Sequence, residues 1–341
     1  MAKFRILSLD GGGVMGAFSA SVLATYEAML NADRAKRNLP PMPLVDHFDL
    51  VTGTSTGGIM AIGLAMGASA SQLRDFYRDA GPKIFPRTGG VAGWLKRPFD
   101  FVREIFRPKF SSVELRAAIE AVVGQRPMKE ARNRLVVPSY DTGMGRVYLF
   151  KTPHHRWCEQ DADTKALDVA LATSAAPTYF QAHSIEGRGT FIDGGVWANC
   201  PATVGIIEAL SFCGQKIEDL HVLSISTTNY PFRLGKEVQL GGLRRWAPML
   251  VDTFMFSQAQ ASVGLSTCLL RDRSQDKPID RFFRIDYLAL PHIYSLADTR
   301  LVQELIEVGR GEAEKIANRT VVMGEFLDGN PAPKWTRDSS T

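Results

Sequence analysis

Two strand-length apolar runs in this chain each end in a glycine-rich turn and continue into a longer segment with apolar residues at helical spacing. The first unit covers residues 4–30, where FRILSL is followed by DGGG. The second covers residues 48–67, where FDLV leads through TGTSTGG into IMAIGLAMG. Each pattern is typical of a strand, a tight turn and a helix. Two such units in succession predict an α/β fold with helices on the faces of a sheet.

Further strand and helix signals follow without a repeat, a low-complexity tract or a long linker between them. We therefore predict one domain over residues 1–325, with a terminal pair of helices within residues 290–319 and a polar C-terminal tail at 326–341. The other segments are strands at RLVVPSYD (134–141), RVYLFKT (146–152), GTFIDGG (189–195) and HVLSIST (221–227), and a helix in LDVALATSAAPTYF (167–180) that ends near Pro177.

Composition excludes several classes of protein. The chain has 341 residues, of which 45% are hydrophobic, so it can bury a substantial core. A net charge of +4 is too small to indicate nucleic-acid binding, although it suits an anionic lipid surface. No apolar stretch reaches the roughly 18 residues of a transmembrane helix, and the N-terminal run is too short for a signal peptide. We expect a cytoplasmic protein whose membrane contact is peripheral.

The turn after the second strand contains a serine between glycines. Gly53, Ser55 and Gly57 fit the pattern GxSxG, and the strand-turn-helix context is the one that a nucleophile elbow requires. At the tip of such a turn the serine hydroxyl is pushed out of the sheet, where a base and a substrate carbonyl can reach it. The alternative is a serine that only caps the following helix. We predict that Ser55 is a nucleophile.

The first glycine loop has two interpretations. Its glycines satisfy GxGxxG, which predicts a dinucleotide-dependent oxidoreductase, but no acidic residue ends the next strand to hold a ribose. The other interpretation is an oxyanion hole, because glycines let backbone N–H groups converge and the next helix adds the positive end of its dipole. We predict an oxyanion hole formed by Gly11, Gly12 and Gly13.

A candidate base lies at the end of another predicted strand. Asp193 is followed by Gly194 and Gly195, and its carboxylate could take the proton of Ser55 directly, without a histidine between them. Asp-Gly is also a common turn in which the carboxylate binds local N–H groups. Asp193 alone favours the turn, and only the combination with the glycine loop and the elbow favours catalysis.

Together the three stretches DGGGVMG, GTSTG and FIDGG resemble the patatin-like phospholipases. The resemblance covers residues 4–230 and implies a three-layer α/β/α sandwich with a central, mostly parallel sheet. It also implies a lipid acyl hydrolase of the phospholipase A type with a Ser55–Asp193 dyad and no cofactor. Members often have arginine where this chain has Met15, so a ligand contact made by that arginine is not carried over.

A second, less specific resemblance concerns regulation. KTPHH and DVALATSAAPTYF are similar to bacterial phospholipase effectors that cyclic nucleotides activate in anti-phage defence. The resemblance implies membrane phospholipid as substrate, at the inner face of the membrane, and a cyclic nucleotide as activator. The alternatives from other classes are a non-catalytic lipid-binding scaffold and the oxidoreductase.

The histidines and cysteines give no metal pattern. A conventional triad would need a late histidine, either His221 or His292, but neither lies beside a catalytic signature. His154 and His155 are adjacent, so on an extended segment they face opposite ways and cannot share a metal ion. The four cysteines form no CxxC pair, which argues against a zinc ribbon and against a disulfide framework. We expect no metal site.

Two apolar segments have open interpretations. Residues 85–110 mix basic residues with large aromatic ones, and Trp94 and Phe99 suit either a lid or membrane-contact insertion or an insertion packed on the core. Residues 246–265 could form a helix beside an acyl-chain tunnel, part of a homodimer face, or core.

Overall fold

The computed structural model describes residues 3–84, 110–228, 235–272, 279–289, 297–328 and 331–335. Within these ranges the chain folds around an eight-stranded sheet with the order β10-β7-β1-β2-β3-β6-β5, and β4 pairs with β3 outside this path. The strands are β1 Phe4–Leu9, β2 Leu50–Gly53, β3 Arg134–Asp141, β4 Arg146–Lys151, β5 His183–Ile185, β6 Gly189–Asp193, β7 Leu220–Ile225 and β10 Phe282–Ile285, with a separate pair β8 Arg271–Asp272 and β9 Ile279–Asp280.

Helices and short helical turns connect the strands and cover both faces of the sheet. The helices are α1 Gly16–Lys36, α2 Thr56–Ala65, α3 Ala70–Ile84, α4 Ser112–Val123, α5 Ala166–Thr173, α6 Gly195–Ala198, α7 Ala202–Phe212, α8 Lys236–Gln239, α9 Leu243–Leu270, α10 Val302–Glu314 and α11 Ile316–Val321. Single 3₁₀ turns occur at Gly13–Met15, Leu44–His47, Met128–Glu130, Arg156–Asp161, Ile217–Asp219 and Thr299–Leu301, and a π turn at Val322–Phe326.

Alternation along β1 explains the three layers. Phe4 and Ile6 belong to a core cluster that packs against α7, whereas Leu7 and Leu9 belong to the larger cluster shared with α1 and α2. Successive side chains of a strand point to opposite faces, so one buried strand supplies both cores. The predicted α/β/α sandwich with a mostly parallel sheet is confirmed.

Helix α1 is long and apolar enough to pass a composition test for a membrane span. Residues Gly13–Lys36 meet that test, but 72% of their most apolar window is buried in the fold. α1 packs against α3 and α10. It is therefore a core helix of the sandwich.

The topology brings the ends of β2 and β6 together beside the middle of β3. β2 runs parallel to β3 and pairs Thr52 with Val136. β6 runs antiparallel to β3, and its last residue Asp193 pairs with Ser139. The loop that follows β2 therefore meets the end of β6, although the two are far apart in sequence.

Two predicted boundaries need correction. Phe326 and Leu327, assigned from the sequence to the polar tail, are buried, because they fill the core beneath the π turn. Backbone pairing extends further still, since the N–H of Ala332 donates to the carbonyl of Asp46 at 2.8 Å. Helix α5 ends at Thr173, before the predicted end at Pro177. The single-domain boundary at 1–325 otherwise stays a prediction.

Candidate active site

Ser55 occupies a strained turn between β2 and α2. Its backbone has φ 55° and ψ −123°, in the positive-φ region that residues other than glycine rarely adopt. Such a conformation costs about 1–3 kcal/mol and persists only where the surroundings impose it. The flanking glycines make the turn possible, because a Cβ on Gly53 would overlap the carbonyl of Gly57, and a Cβ on Gly57 would overlap the carbonyl of Leu9.

Hydrogen bonds from three elements hold this turn in place. The N–H of Ser55 donates to Oγ1 of Thr173 at 3.0 Å, and the Thr173 hydroxyl donates to the carbonyl of Pro138 at 2.6 Å. The Thr54 hydroxyl donates to the carbonyl of Ala198 at 2.6 Å. Ser55 stands at the N-cap of α2, but its side chain makes no capping hydrogen bond. The capping interpretation of Ser55 is therefore wrong.

The Ser55 side chain instead lies beside the carboxyl of Asp193. Asp193 ends β6 and is only 5% exposed, and one of its oxygens, Oδ1, also accepts the N–H of Gly195 at 2.7 Å. Burial raises the pKa of Asp193 to about 6, while the hydrogen bonds from Ser55 and Gly195 oppose that rise. Gly194 fits here because a Cβ would overlap the carbonyl of Pro138. The structure thus brings together Ser55 and Asp193, both predicted from the sequence.

The glycine loop lies against Ser55, but its three N–H groups are not equivalent. A Cβ on Gly11 would stand 3.3 Å from Cβ of Ser55. The N–H of Gly11 is used by the fold, since it donates to the carbonyl of Asn199 at 2.9 Å. Across the described ranges, no acceptor pairs with the N–H of Gly12 or Gly13. This finding corrects the predicted oxyanion hole. The N–H of Gly11 is already bonded to Asn199, so the N–H groups of Gly12 and Gly13 remain as donors for an oxyanion.

A buried ion pair anchors the start of this loop. Nη2 of Arg284 lies 2.6 Å from Oδ2 of Asp10, and Nη1 donates to Oγ of Ser224 at 2.7 Å. Burial raises the pKa of the Asp10 carboxyl, and the Arg284 charge opposes that rise. Sequence reasoning missed this pair, for which the only signal is an arginine inside the apolar strand FFRI.

Met15 stands where patatin-like phospholipases often have arginine, and it is packed in the core. It is 1% exposed, and its sulfur accepts the hydroxyl of Thr228 at 3.2 Å. Arg284 of β10 supplies a buried positive charge at the start of the loop. Met15 supplies no charge and lines the small cavity beside the loop.

Helix α9 forms the wall opposite the glycine loop. Met255, Phe256 and Ala259 line a small cavity together with Gly12 and Asn199. Just beside it, the side chain of Gln258 accepts the N–H of Asn199 at 3.0 Å and donates to the carbonyl of Gly195 at 3.1 Å. Of the open interpretations of residues 246–265, the structure supports a helix beside the site.

The other predicted candidates lie elsewhere. His221 begins β7 and pairs in register with Arg5, at the opposite end of the strands from Ser55. Burial, with help from Lys3, lowers the pKa of His221 to about 4. His292, Trp94 and Phe99 lie outside the described residues, so the predictions about the insertion stay predictions.

Comparison with known proteins places this geometry in a family. A model of the patatin-like phospholipase family matches residues 7–206, which include the glycine loop, Ser55 and Asp193. The chain belongs to the patatin-like phospholipase family. The resemblance predicted from the sequence is confirmed, and with it the prediction of a hydrolase of lipid esters. The dinucleotide interpretation of the glycine loop loses its support, because the loop is part of the matched domain.

The similarity of this patatin-like phospholipase to its relatives extends beyond the residues that the family model matches. A protein of Vibrio cholerae named cGAMP-activated phospholipase is 34% identical over 306 residues, which are 85% of this chain and 83% of that one. A protein of the same name from Escherichia coli is 34% identical over 83% of this chain and 80% of its own length. Among solved structures, VipD from Legionella pneumophila superposes with a TM-score of 0.41 at 11% identity, covering 91% of this chain and 67% of VipD.

Proposed function

We propose that this chain is a phospholipase A-type lipid acyl hydrolase in which Ser55 is the nucleophile and Asp193 the general base. The observation that carries the proposal is the position of a serine at a strained strand-to-helix turn beside a buried carboxylate. A nucleophile and its base must come within hydrogen-bond reach of one another, and we expect these two side chains to do so.

In the first half-reaction Asp193 accepts the proton of Ser55 as the serine oxygen attacks the carbonyl carbon of an acyl ester. The carbonyl oxygen becomes negatively charged, and the N–H groups of Gly12 and Gly13 are the donors with which we expect it to pair. The tetrahedral intermediate collapses when the C–O bond to the lysophospholipid breaks. Asp193 returns its proton to that leaving oxygen, which leaves an acyl ester on Ser55.

In the second half-reaction water replaces the leaving alcohol. Asp193 takes a proton from the water as the water oxygen attacks the acyl carbon, and the same N–H groups bind the second oxyanion. When the bond to Ser55 breaks, Asp193 returns the proton to the serine oxygen. The products are a fatty acid and the regenerated hydroxyl. A base with a pKa of about 6 suits this cycle, because it is ionised at neutral pH and is still basic enough to take a proton.

Fatty-acid release from mixed bacterial phospholipid vesicles tests this mechanism. We expect release by the wild type and none above background by Ser55→Ala, because the nucleophile is gone. Ser71→Ala, which removes an exposed hydroxyl on α3, is the matched control and should release fatty acid at the wild-type rate. Release by Ser55→Ala at the wild-type rate would contradict the assignment. Vesicle binding without hydrolysis by the wild type would instead support the lipid-binding scaffold.

We also propose that a cyclic nucleotide of the cGAMP class activates the enzyme at the inner face of the cytoplasmic membrane, in anti-phage defence. Two relatives that match most of this chain carry the name cGAMP-activated phospholipase. The cavity between the glycine loop and α9 has a volume of about 30 Å³, which is room for little more than a water molecule. We propose that this wall moves to admit an acyl chain and that the activator drives the movement.

The activation proposal is tested by adding cGAMP, or a panel of other cyclic nucleotides, to the same vesicle assay. We expect cGAMP to raise fatty-acid release by at least tenfold with no effect on Ser55→Ala. Equal release with and without every nucleotide would contradict the activation, while leaving the Ser55 mechanism standing.

A further inference from the structure

A second cluster of reactive side chains lies away from Ser55, between the segment that follows β4 and helix α7. His154, Cys158 and Glu208 are all buried, and one ligand atom from each lies within 4.8 Å of the other two. They come from three elements: the bend after β4, the 3₁₀ turn Arg156–Asp161, and α7. The proposed ester hydrolysis uses none of them.

The distances within the cluster fit a tetrahedral metal ion. Nε2 of His154 lies 3.1 Å from Oε1 of Glu208, and Sγ of Cys158 lies 3.9 Å from the same oxygen. Zinc bonds of about 2.0–2.3 Å to nitrogen, oxygen and sulfur put neighbouring ligand atoms roughly 3.3–3.7 Å apart in a tetrahedron. The observed separations lie on either side of that range, so small side-chain shifts would complete the geometry.

Neighbouring groups orient the ligands as outer partners do in metal sites. Nζ of Lys151 lies 2.7 Å from Oε2 of Glu208, which leaves Oε1 facing His154 and Cys158. Nδ1 of His154 lies 2.8 Å from Oγ1 of Thr152, so an N–H at Nδ1 can donate there and turn the Nε2 lone pair towards Glu208. A histidine ligand commonly has such a partner on its other nitrogen.

The protonation of the cluster explains what a metal ion would replace. With no cation between them, the thiol of Cys158 donates to Oε1 of Glu208, and Nε2 of His154 lies within hydrogen-bond distance of the same oxygen. A bound ion would displace the thiol proton, so each ion binds with release of about one proton.

We propose that His154 Nε2, Cys158 Sγ and Glu208 Oε1 form a binding site for a zinc-class divalent metal ion, with water as the fourth ligand. Among the described residues the group has these three members. The sequence prediction of no metal site rested on the adjacency of His154 and His155 and on the absence of a CxxC pair. The Nδ1 of His155 accepts the N–H of Trp157 at 3.2 Å. The true partners of His154 are not its neighbours in the sequence. The site would tie the segment after β4 to α7.

Cobalt substitution of the full chain tests the site without using activity. After chelator treatment and addition of Co²⁺, we expect about one retained ion per chain and a thiolate-to-cobalt absorption band in the near ultraviolet. Cys158→Ser should lose that band and bind at least tenfold more weakly. Cys268→Ser, which removes an exposed thiol elsewhere, is the matched control and should keep both. Failure of the wild type to retain cobalt, or a band that survives in Cys158→Ser, would overturn the proposal.

A second measurement covers the case in which Cys158→Ser does not fold. Zinc should raise the melting temperature of the chelator-treated wild type, and titration at pH 7 should release about one proton per ion. A melting temperature that zinc leaves unchanged, together with no proton release, would overturn the site independently of any variant.

Discussion

Asp10 and Asp193 are two buried aspartates that follow or end strands of the same sheet, and they are balanced in different ways. Asp10 has a cation, Arg284, at 2.6 Å. Asp193 has only uncharged donors within the described part of the chain, the Ser55 hydroxyl and the Gly195 N–H. Burial raises the pKa of both carboxyls, but only for Asp10 does a positive charge oppose that rise.

This difference suits Asp10 to a structural role and Asp193 to proton transfer. An arginine beside a buried carboxylate opposes its protonation and balances its charge, which suits an anchor for the glycine loop. A carboxylate without a cation stays basic, which suits proton transfer from a serine. The two positions therefore predict opposite responses to neutralising substitutions.

The largest effect should come from the pair at the active site. Ser55→Ala and Asp193→Asn should each lower the turnover of phospholipid by about 10³-fold or more, and the double variant should be barely slower than either, because the two groups act as a unit. Initial rates of fatty-acid release measure this. Multiplicative losses in the double variant would show that the two side chains act separately.

Removing the cation from the other aspartate should damage folding instead. Arg284→Met leaves the buried Asp10 carboxylate without its partner, which we expect to cost about 3–5 kcal/mol of unfolding free energy. Urea denaturation followed by circular dichroism measures the loss. Arg319→Met, at an exposed arginine of α11, is the control and should change stability little. Equal stability of the two variants would mean that the ion pair is not an anchor.

Neutralising Asp193 itself should change stability in the opposite direction. A pKa raised from 3.8 to about 6 means that the folded state favours the protonated form, so the stability present at low pH is lost as the pH rises through about 6. Asp193→Asn, which cannot ionise, should therefore be more stable than the wild type by about 3 kcal/mol at pH 8.

Urea denaturation at several pH values checks that prediction. The advantage of Asp193→Asn should shrink as the pH falls through 6 and vanish below about 4, because the wild-type carboxyl is then protonated in both states. An advantage that does not depend on pH would show that ionisation of Asp193 is not its source.

A smaller effect is expected at the residue that supports the turn. Thr173→Val removes the acceptor of the Ser55 N–H and the donor to Pro138, which should cost about 2 kcal/mol of stability. As a positioning residue, Thr173 should affect kcat more than KM. Thr267→Val, whose hydroxyl bonds only within its own helix to Val263, should change neither by much.

How far the sequence predicted this site depends on the range of each contact. The strand-turn-helix pattern predicted the role of Ser55, because an elbow is a local feature with fixed chemistry. The role of Asp193 was predicted only from its combination with that elbow and the glycine loop. No local pattern could reveal that Asn199 occupies the N–H of Gly11, or that Arg284 from the last strand of the sheet neutralises Asp10. Those contacts exist only once β10 and the turn after β6 have joined the sheet.

The cores show the same limit. The apolar run FRILSL predicted the strand β1, whereas the burial of Phe326 and Leu327 could not be read from the polar segment around them. The π turn Val322–Phe326 leads into these two residues, which belong to the larger core cluster, and that turn has no distinct sequence signal.

The rate at which a fluorophosphonate ester labels Ser55 tests the central claim most directly, because the reagent reacts with an activated serine and needs no lipid surface. The account predicts that mass spectrometry finds the label on Ser55 and that the labelling rate falls as the pH drops through about 6, with Asp193→Asn labelled at least 10²-fold more slowly. A label on another residue, or equal labelling of Ser55 in the wild type and Asp193→Asn, would contradict it.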